Sequence, residues 1–128
     1  MLFLHFRFVI KYIFKNTGKH LGMTKKFEPR VENAIKNYIA KFKKEINVID
    51  VYLFGSYAKG NYHNDSDIDI AVISDQFKGN CIEDRLLLMR LRRDIDLRIE
   101  PHPFRPEDFT DENPFVKEIK EYGIRIQC

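Results

Sequence analysis

The stretch that decides the fold is VYLFGSYAKGNYHNDSDIDIAVI, residues 51–73. An apolar run ends at Gly55-Ser56, a polar loop follows, and a second apolar run begins with two aspartates. Ten residues separate Ser56 from Asp67, and one residue separates Asp67 from Asp69. The pattern predicts two strands that are joined by a Gly-Ser turn, a short helix and a loop.

The two aspartates are predicted to lie side by side on one face of the second strand. Side chains alternate along a strand, so Asp67 and Asp69 point one way while Ile68 and Ile70 point the other. At about 3.3 Å per residue, their Cα atoms lie roughly 6.5 Å apart. Carboxylates this close repel each other unless a cation lies between them. Because Mg²⁺ prefers oxygen ligands and keeps room for phosphates, the pair predicts a divalent-metal site.

The Gly-Ser turn is suited to binding phosphate. Gly55 lets a ligand approach the backbone, and the first N–H groups of the following helix attract an anion. Ser56 adds a hydroxyl group, Lys59 adds a positive charge within one turn, and Gly60 is expected to end the helix. A phosphate site that faces a carboxylate metal site is the arrangement that nucleoside triphosphate chemistry requires.

This combination of turn, spacing and carboxylate pair resembles the signature of the DNA polymerase β-like nucleotidyltransferase superfamily. It is most similar to the minimal nucleotidyltransferases (MNT), over about residues 28–126. The resemblance implies an α/β (α+β) fold with a small mixed sheet of three to four strands and helices mainly on one face. It also implies that Asp67 and Asp69 are catalytic and hold one or two Mg²⁺ ions, with ATP or another nucleoside triphosphate as substrate. Gly55, Ser56 and Lys59 are then the nucleotide-binding residues.

A third carboxylate is expected on a neighbouring strand. Residues 95–99 alternate apolar and polar side chains, which predicts a strand whose polar face carries Asp96. Asp94 and Glu100 are alternatives, and the spacing alone does not choose among the three. The resemblance favours Asp96 as a catalytic residue and metal ligand, because the family's third carboxylate lies in the middle of a strand.

The remaining elements are predicted from hydrophobic periodicity and from helix and turn signals. Helices are expected over residues 29–45, 82–93 and 114–121, and a buried strand over residues 48–54. Pro101, Pro103 and Pro106 are expected to exclude regular structure after the third strand. The face of the sheet that carries the acids is expected to be open, and Arg85 on the second long helix is expected to be solvated.

The length of 128 residues suits a single domain with one core. Residues 1–22 contain four basic side chains and no acidic one. We expect them to be an N-terminal extension outside the domain, as an over-called start would produce, and residues 23–128 to form the nucleotidyltransferase domain. Residues 1–22 are too short and too charged for a transmembrane helix, and they lack the cleavage site of a signal peptide.

Charge and cysteine content exclude several classes of protein. The chain has 22 basic and 19 acidic side chains, and the four basic ones in residues 1–22 leave 18 basic and 19 acidic ones elsewhere. The body therefore lacks the basic surface of a nucleic-acid-binding protein, and action on DNA or RNA is not expected. Cys81 and Cys128 lie far apart in the sequence and one of them is terminal, which argues against a disulfide framework or a metal cluster and suits the reducing cytoplasm.

The predicted activity is transfer of a nucleoside monophosphate, AMP from ATP in the first instance, to a hydroxyl acceptor. A partner or a second copy of the chain is expected to supply the acceptor surface. The resemblance implies a small helical HEPN-type partner in a toxin–antitoxin pair, with a tyrosine of the partner as acceptor. Two alternatives remain: an antitoxin that neutralises its partner by contact alone, and aspartates that merely cap a strand.

Overall fold

The computed structural model describes residues 28–126, so the expected extension at residues 1–22 lies outside the described residues. The helices are α1 (Pro29–Glu45), α2 (Ser56–Lys59), α3 (Cys81–Arg92) and α4 (Pro114–Tyr122), and a 3₁₀-helix spans Pro106–Asp108. The strands are β1 (Asp50–Phe54), β2 (Ile68–Ile73), β3 (Ile99–Phe104) and β4 (Ile124–Ile126). Within residues 28–126, no helix has the length and apolar character needed to cross a membrane.

The strands form one mixed sheet in the order β3-β2-β1-β4. β1 runs antiparallel to both of its neighbours, and β2 runs parallel to β3. A parallel pair needs a crossover connection, and α3 lies in the connection between β2 and β3. This architecture confirms the predicted α/β fold with a small mixed sheet.

Helices α1 and α3 cover one face of the sheet. α1 starts at Pro29, whose fixed φ suits a first helical turn, and its apolar residues recur at helical spacing. These residues are buried in one core cluster with the alternating apolar face of β2. The buried hydroxyl of Tyr38 donates a hydrogen bond of 2.7 Å to the carbonyl oxygen of Leu88, which ties α1 to α3. Because this layer buries one face of β2, Asp69 is directed to the opposite face.

The opposite face is covered in part, which corrects the expectation of an open acidic face. Helix α4 packs there through Val116 and Ile119, and Phe109 belongs to the same buried cluster. The acids at the other end of this face stay accessible, since the side chains of Asp69 and Glu100 are 24% and 31% exposed. The second layer therefore leaves an acidic region at the edge of an apolar one.

Strand β3 starts four residues later than predicted. The prediction of a strand over residues 95–99 is wrong, because residues 95–98 lie in a turn and β3 begins at Ile99. The expectation that the prolines exclude regular structure is also wrong, since Pro101 and Pro103 lie within β3. Among the described strands β3 pairs only with β2, so a proline can direct its missing N–H away from the ladder. This shift decides which acid lies next to β2.

Candidate active site

The Gly-Ser turn has the predicted form. β1 ends at Phe54, Gly55 adopts φ 74° and ψ −149°, and α2 follows as one helical turn. Gly60, at φ 85°, ends α2, and its N–H donates a hydrogen bond of 2.9 Å to Ser56 O. A positive φ favours glycine because it has no Cβ, so Gly55 and Gly60 delimit α2. The short helix expected between them is confirmed.

Gly55 packs directly against the carboxylate of Asp69. The register of β1 and β2 pairs Phe54 with Asp69, which places the turn beside the acid. A Cβ atom built on Gly55 would overlap Asp69 Oδ2 and would lie 3.2 Å from its Cγ. A carboxylate oxygen therefore occupies the space that a side chain at residue 55 would need.

Asp67 and Asp69 lie at the start of β2. Asp67 precedes the strand by one residue and is exposed, whereas Asp69 is the second residue of the strand. Ile68 and Ile70 on either side of Asp69 are fully buried, so strand alternation directs Asp69 away from them. Oδ1 of Asp69 lies 3.3 Å from Nε2 of His102. The structure thus brings Asp69 to the turn and leaves Asp67 accessible to solvent.

Glu100 occupies the position beside Asp69 on the neighbouring strand. The parallel register of β2 and β3 pairs Asp69 with Glu100, and paired residues direct their side chains to the same face of a sheet. The carboxylate of Glu100 forms an ion pair with Arg85 of α3. Asp69 and Glu100 are therefore the two acids that strand pairing brings together.

Asp96 lies in the turn before β3, and strand pairing does not bring it to Asp69. Its carboxylate accepts hydrogen bonds from Nη2, Nε and the backbone N–H of Arg98, at 2.8, 3.1 and 2.9 Å. The side-chain hydrogen bonds from Arg98 are the main reason that the pKa of Asp96 lies below its usual value. The strand placement that favoured Asp96 as the third carboxylate is wrong, and its catalytic role stays a prediction.

A polar groove of about 430 Å³ next to α1 contains Asp96 and the other alternative, Asp94. Its lining consists of Arg30, Asn33, Ala34, Asn37, Asp94, Ile95, Asp96 and Arg98. Asp94 is exposed and its Oδ1 lies 2.7 Å from Lys41 Nζ, also on α1. Because α1 covers the face of the sheet opposite to Asp69, Asp94 and Asp96 lie on the side of the sheet that α1 and α3 cover.

Ser56 and Lys59 lie on α2, directly after Gly55. Ser56 is half-buried at the first helical position, and Lys59 is exposed at the last one. Lys59 Nζ lies 3.2 Å from Glu118 Oε1 and 5.8 Å from the centre of the Tyr122 ring, both on α4. An exposed ion pair of this kind contributes about 0–1 kcal/mol, so Glu118 restrains Lys59 only weakly.

A cleft of about 210 Å³ opens beside Gly55, between α2 and α4. Its walls are formed by Phe54, Gly55, Lys59, Phe115, Glu118, Ile119 and Tyr122. The lining is mainly aromatic and aliphatic, with one ion pair between Lys59 and Glu118. The cleft therefore offers an apolar surface next to the turn, which suits a flat ring.

The sequence reasoning missed two residues that contact the acids, His102 and Arg85. His102 lies in the proline-containing segment that was expected to lack regular structure, and Arg85 lies on a helix face that was expected to be solvated. A signal for His102 was present, because Glu100, His102 and Phe104 are spaced two residues apart, the period of a strand face. For Arg85 no comparable signal exists, because its contact depends on how α3 packs beside β3.

The acids at the turn fit a divalent cation by their chemistry. Residues 28–126 contain no group of three or more His, Cys, Asp or Glu side chains already gathered in a metal-binding arrangement. Asp69 and Glu100 are nevertheless neighbours on one face, and Asp67 lies at the same end of β2. Carboxylate oxygens are the ligands that Mg²⁺ prefers, and Mg²⁺ often uses one or two of them together with substrate phosphates.

The chain that folds into this mixed sheet, with Gly55 packed on Asp69, is a nucleotidyltransferase by the family that it matches. The family described as "Nucleotidyltransferase domain" matches residues 35–126, and the chain belongs to this family. It is therefore an enzyme that transfers nucleotidyl groups, and its substrates include a nucleoside triphosphate.

Two proteins of Methanocaldococcus jannaschii, both named "Putative protein adenylyltransferase", are similar to this chain. One is 28% identical over 96 residues, which cover 69% of this chain and 94% of that protein. The other is 41% identical over 46 residues, which cover 34% of this chain and 46% of that protein. The crystal structure of a "putative nucleotidyltransferase" from Sulfolobus solfataricus matches with a TM-score of 0.51 and 23% identity, over 80% of this chain and 89% of that one. At this identity the structural match shows a shared fold.

Replacing Gly55 by alanine is expected to impair nucleotidyl transfer strongly. The new Cβ would displace Asp69 Oδ2, and a misplacement of about 1 Å in an active site can cost about 10²-fold in rate. Gly60→Ala is the matched control, because Gly60 also has a positive φ but ends α2 on the far side from the Asp69 contact. Pyrophosphate release and thermal unfolding should be measured for both variants. An equal loss of activity in the two variants would contradict the steric explanation.

Replacing Asp96 by asparagine is expected to lower the free energy of unfolding by about 1–3 kcal/mol at pH 7, because a charged hydrogen-bonding partner of Arg98 is lost. The pKa of Asp96 is lower in the folded state than its ordinary value, so its contribution is complete above the pKa of the unfolded chain. The contribution is lost as the pH falls through the lowered, folded-state pKa. Urea unfolding of both proteins between pH 7 and pH 3 checks this, since the difference should be constant at first and then shrink. A difference that grows on acidification would refute the assignment.

Proposed function

We propose that the chain catalyses Mg²⁺-dependent transfer of a nucleoside monophosphate, AMP from ATP, to a hydroxyl group of a partner protein. One observation carries this proposal: the phosphate-type turn at Gly55 packs on the carboxylate of Asp69, and the sheet register places Glu100 beside that same acid. A turn suited to phosphate and acids suited to a divalent cation thus share one position.

Asp67, Asp69 and a third acid are proposed as the residues that hold one or two Mg²⁺ ions. For the third acid we favour Glu100 over Asp96, because Glu100 is paired with Asp69 while Asp96 is held by Arg98. A bound Mg²⁺ would neutralise charge on the triphosphate and stabilise the attacking and leaving oxygens.

The triphosphate of the nucleotide is proposed to bind at the Gly-Ser turn. Gly55 lets phosphate approach the backbone, the hydroxyl of Ser56 donates a hydrogen bond to it, and Lys59 exchanges Glu118 for a phosphate oxygen. The acceptor oxygen then attacks the α-phosphorus and its proton is lost to a carboxylate of the site or to water, while the bond from the α-phosphorus to the bridging oxygen breaks and pyrophosphate leaves in line with the attack. The apolar cleft beside Gly55 is the nearest surface for a ring of the nucleotide or of the acceptor.

The acceptor is proposed to be a tyrosine of a small helical HEPN-type protein, with this chain as the antitoxin of the pair. Both named relatives from Methanocaldococcus jannaschii carry the words protein adenylyltransferase, which supports AMP as the group and protein as the acceptor. The resemblance to minimal nucleotidyltransferases supports the identity of the partner. Residues 23–128 would form the catalytic domain, with residues 1–22 as an extension.

A second candidate function is neutralisation of the same partner by contact alone. Two large apolar side chains of α3, Ile82 and Leu86, are 72% and 59% exposed and lie four residues apart. Residues at this spacing lie on one side of a helix and provide a contact surface for another protein. This function needs none of the acids, so an acid-to-amide variant separates the two candidates.

The decisive experiment mixes the purified chain with Mg²⁺ and each α-labelled nucleoside triphosphate, with and without the protein encoded by the neighbouring gene. We expect label from ATP on the partner and release of pyrophosphate. Asp67→Asn should abolish both while the fold survives, because Asp67 is exposed and supports no core contact. Full transfer by Asp67→Asn would exclude the metal role. A tight complex without label would favour contact neutralisation.

The third acid is identified by comparing Glu100→Gln with Asp96→Asn in the same assay. We expect Glu100→Gln to lose transfer with little change in thermal stability, since its ion pair with Arg85 is partly exposed. Asp96→Asn should lose stability and retain transfer below its lowered unfolding temperature. The reverse pattern would restore Asp96 as the catalytic acid.

A further inference from the structure

We propose that His102 is a positioning residue for Asp69, which orients that carboxylate toward the phosphate turn; the role rests on the proposed function. Nε2 of His102 lies 3.3 Å from Oδ1 of Asp69, and the two side chains are equally exposed, at 24%. We assign to His102 the tautomer in which Nε2 carries the hydrogen and donates a hydrogen bond to Oδ1, because a carboxylate oxygen is a hydrogen-bond acceptor. This assigns one oxygen of Asp69 to a protein contact.

The other oxygen of Asp69 is directed at the turn. Oδ2 occupies the space next to Gly55 where a Cβ atom would lie. With Oδ1 held by His102, the carboxylate cannot rotate without breaking that hydrogen bond. Oδ2 is therefore the oxygen that faces Gly55, and it is the one that would be available to a divalent cation.

The imidazole of His102 is itself held in place by aromatic rings. It packs edge-on against Phe54, with ring centres 5.0 Å apart, and against Phe115 of α4, with ring centres 5.8 Å apart. The register of β2 and β3 pairs His102 with Ala71, whose small side chain leaves room for the imidazole to reach toward Asp69. Phe54 directly precedes Gly55, so the same ring that borders the turn also fixes His102.

A carboxylate held in this way is prepared for metal binding. Carboxylates that ligate metals are commonly hydrogen-bonded by a further residue, and loss of that residue typically reduces metal affinity or activity by about 10–100-fold. The physical reason is that an unrestrained side chain must be ordered when the cation binds. His102 has already ordered Asp69 in the free protein.

Two variants separate the hydrogen bond from the packing. His102→Phe retains a ring between Phe54 and Phe115 but removes the N–H donor. His102→Gln retains an amide N–H at similar reach but removes the ring. Mn²⁺ binding to the full chain with the unreactive analogue α,β-methylene-ATP, followed by electron paramagnetic resonance, reports on the site without turnover.

We expect His102→Phe to weaken Mn²⁺ binding by at least about tenfold, and His102→Gln to stay within about threefold of the wild type. Circular dichroism and thermal unfolding confirm that each variant is folded. Wild-type affinity in His102→Phe would overturn the proposal, and so would tighter binding, which would show that His102 competes with the cation. Equal weakening in both variants would also overturn it, because the ring and not the donor would then matter.

The loss of Mn²⁺ affinity in His102→Phe must also depend on Asp69. In an Asp69→Asn background, His102→Phe should change Mn²⁺ affinity less than about twofold, because the contact it removes no longer supports a metal ligand. An equal effect of His102→Phe in both backgrounds would mean that His102 acts independently of Asp69, against the proposal. If the wild-type chain binds no Mn²⁺ with the analogue, the metal-dependent function itself fails, a result distinct from normal binding by His102→Phe.

Discussion

The contact of the Asp69 carboxylate with Gly55 on one side and His102 on the other is the constraint on which the site depends. Three adjacent strands supply one part each: β1 leads into Gly55, β2 carries Asp69, and β3 carries His102. Each part has its place only if both registers are kept. If β2 slipped by one residue relative to its neighbours, the side chain of Asp69 would point into the core and that of an isoleucine would point into the site, because strand side chains alternate between faces.

Burial on the opposite face fixes these registers. Ile68 and Ile99 are paired across β2 and β3 and are fully buried, so the strands have one alignment in which their apolar faces meet the core. The same alignment directs Asp69 away from the helices α1 and α3. On the other face, α4 and its aromatic neighbours cover only part of the sheet. Asp69 and Glu100 therefore keep solvent access, which a fully buried acid would lack.

Each of three acids near the end of the sheet has its own basic or hydrogen-bonding neighbour. Asp69 contacts His102, Glu100 pairs with Arg85, and Asp96 is held by Arg98. The partners differ in what they leave available. The side chain of Arg98 donates hydrogen bonds to both carboxylate oxygens of Asp96, and its backbone N–H donates another, so Asp96 stabilises the turn before β3. His102 engages one oxygen of Asp69 and leaves the other at Gly55, so this acid remains available to a ligand.

The sequence by itself determined the local features of the protein: the Gly-Ser turn, the short helix between Gly55 and Gly60, and the facing direction of Asp69. These follow from φ preferences and side-chain alternation, which act over a few residues. Only the tertiary structure decided that Glu100 and His102 lie beside Asp69, and that Asp96 is hydrogen-bonded to Arg98 in the turn before β3. The start of β3 depends on its pairing with β2, and its prolines are tolerated because β3 lies at the edge of the sheet that residues 28–126 form. Local sequence rules predict that those prolines end regular structure, because such rules contain no information about which strand lies alongside.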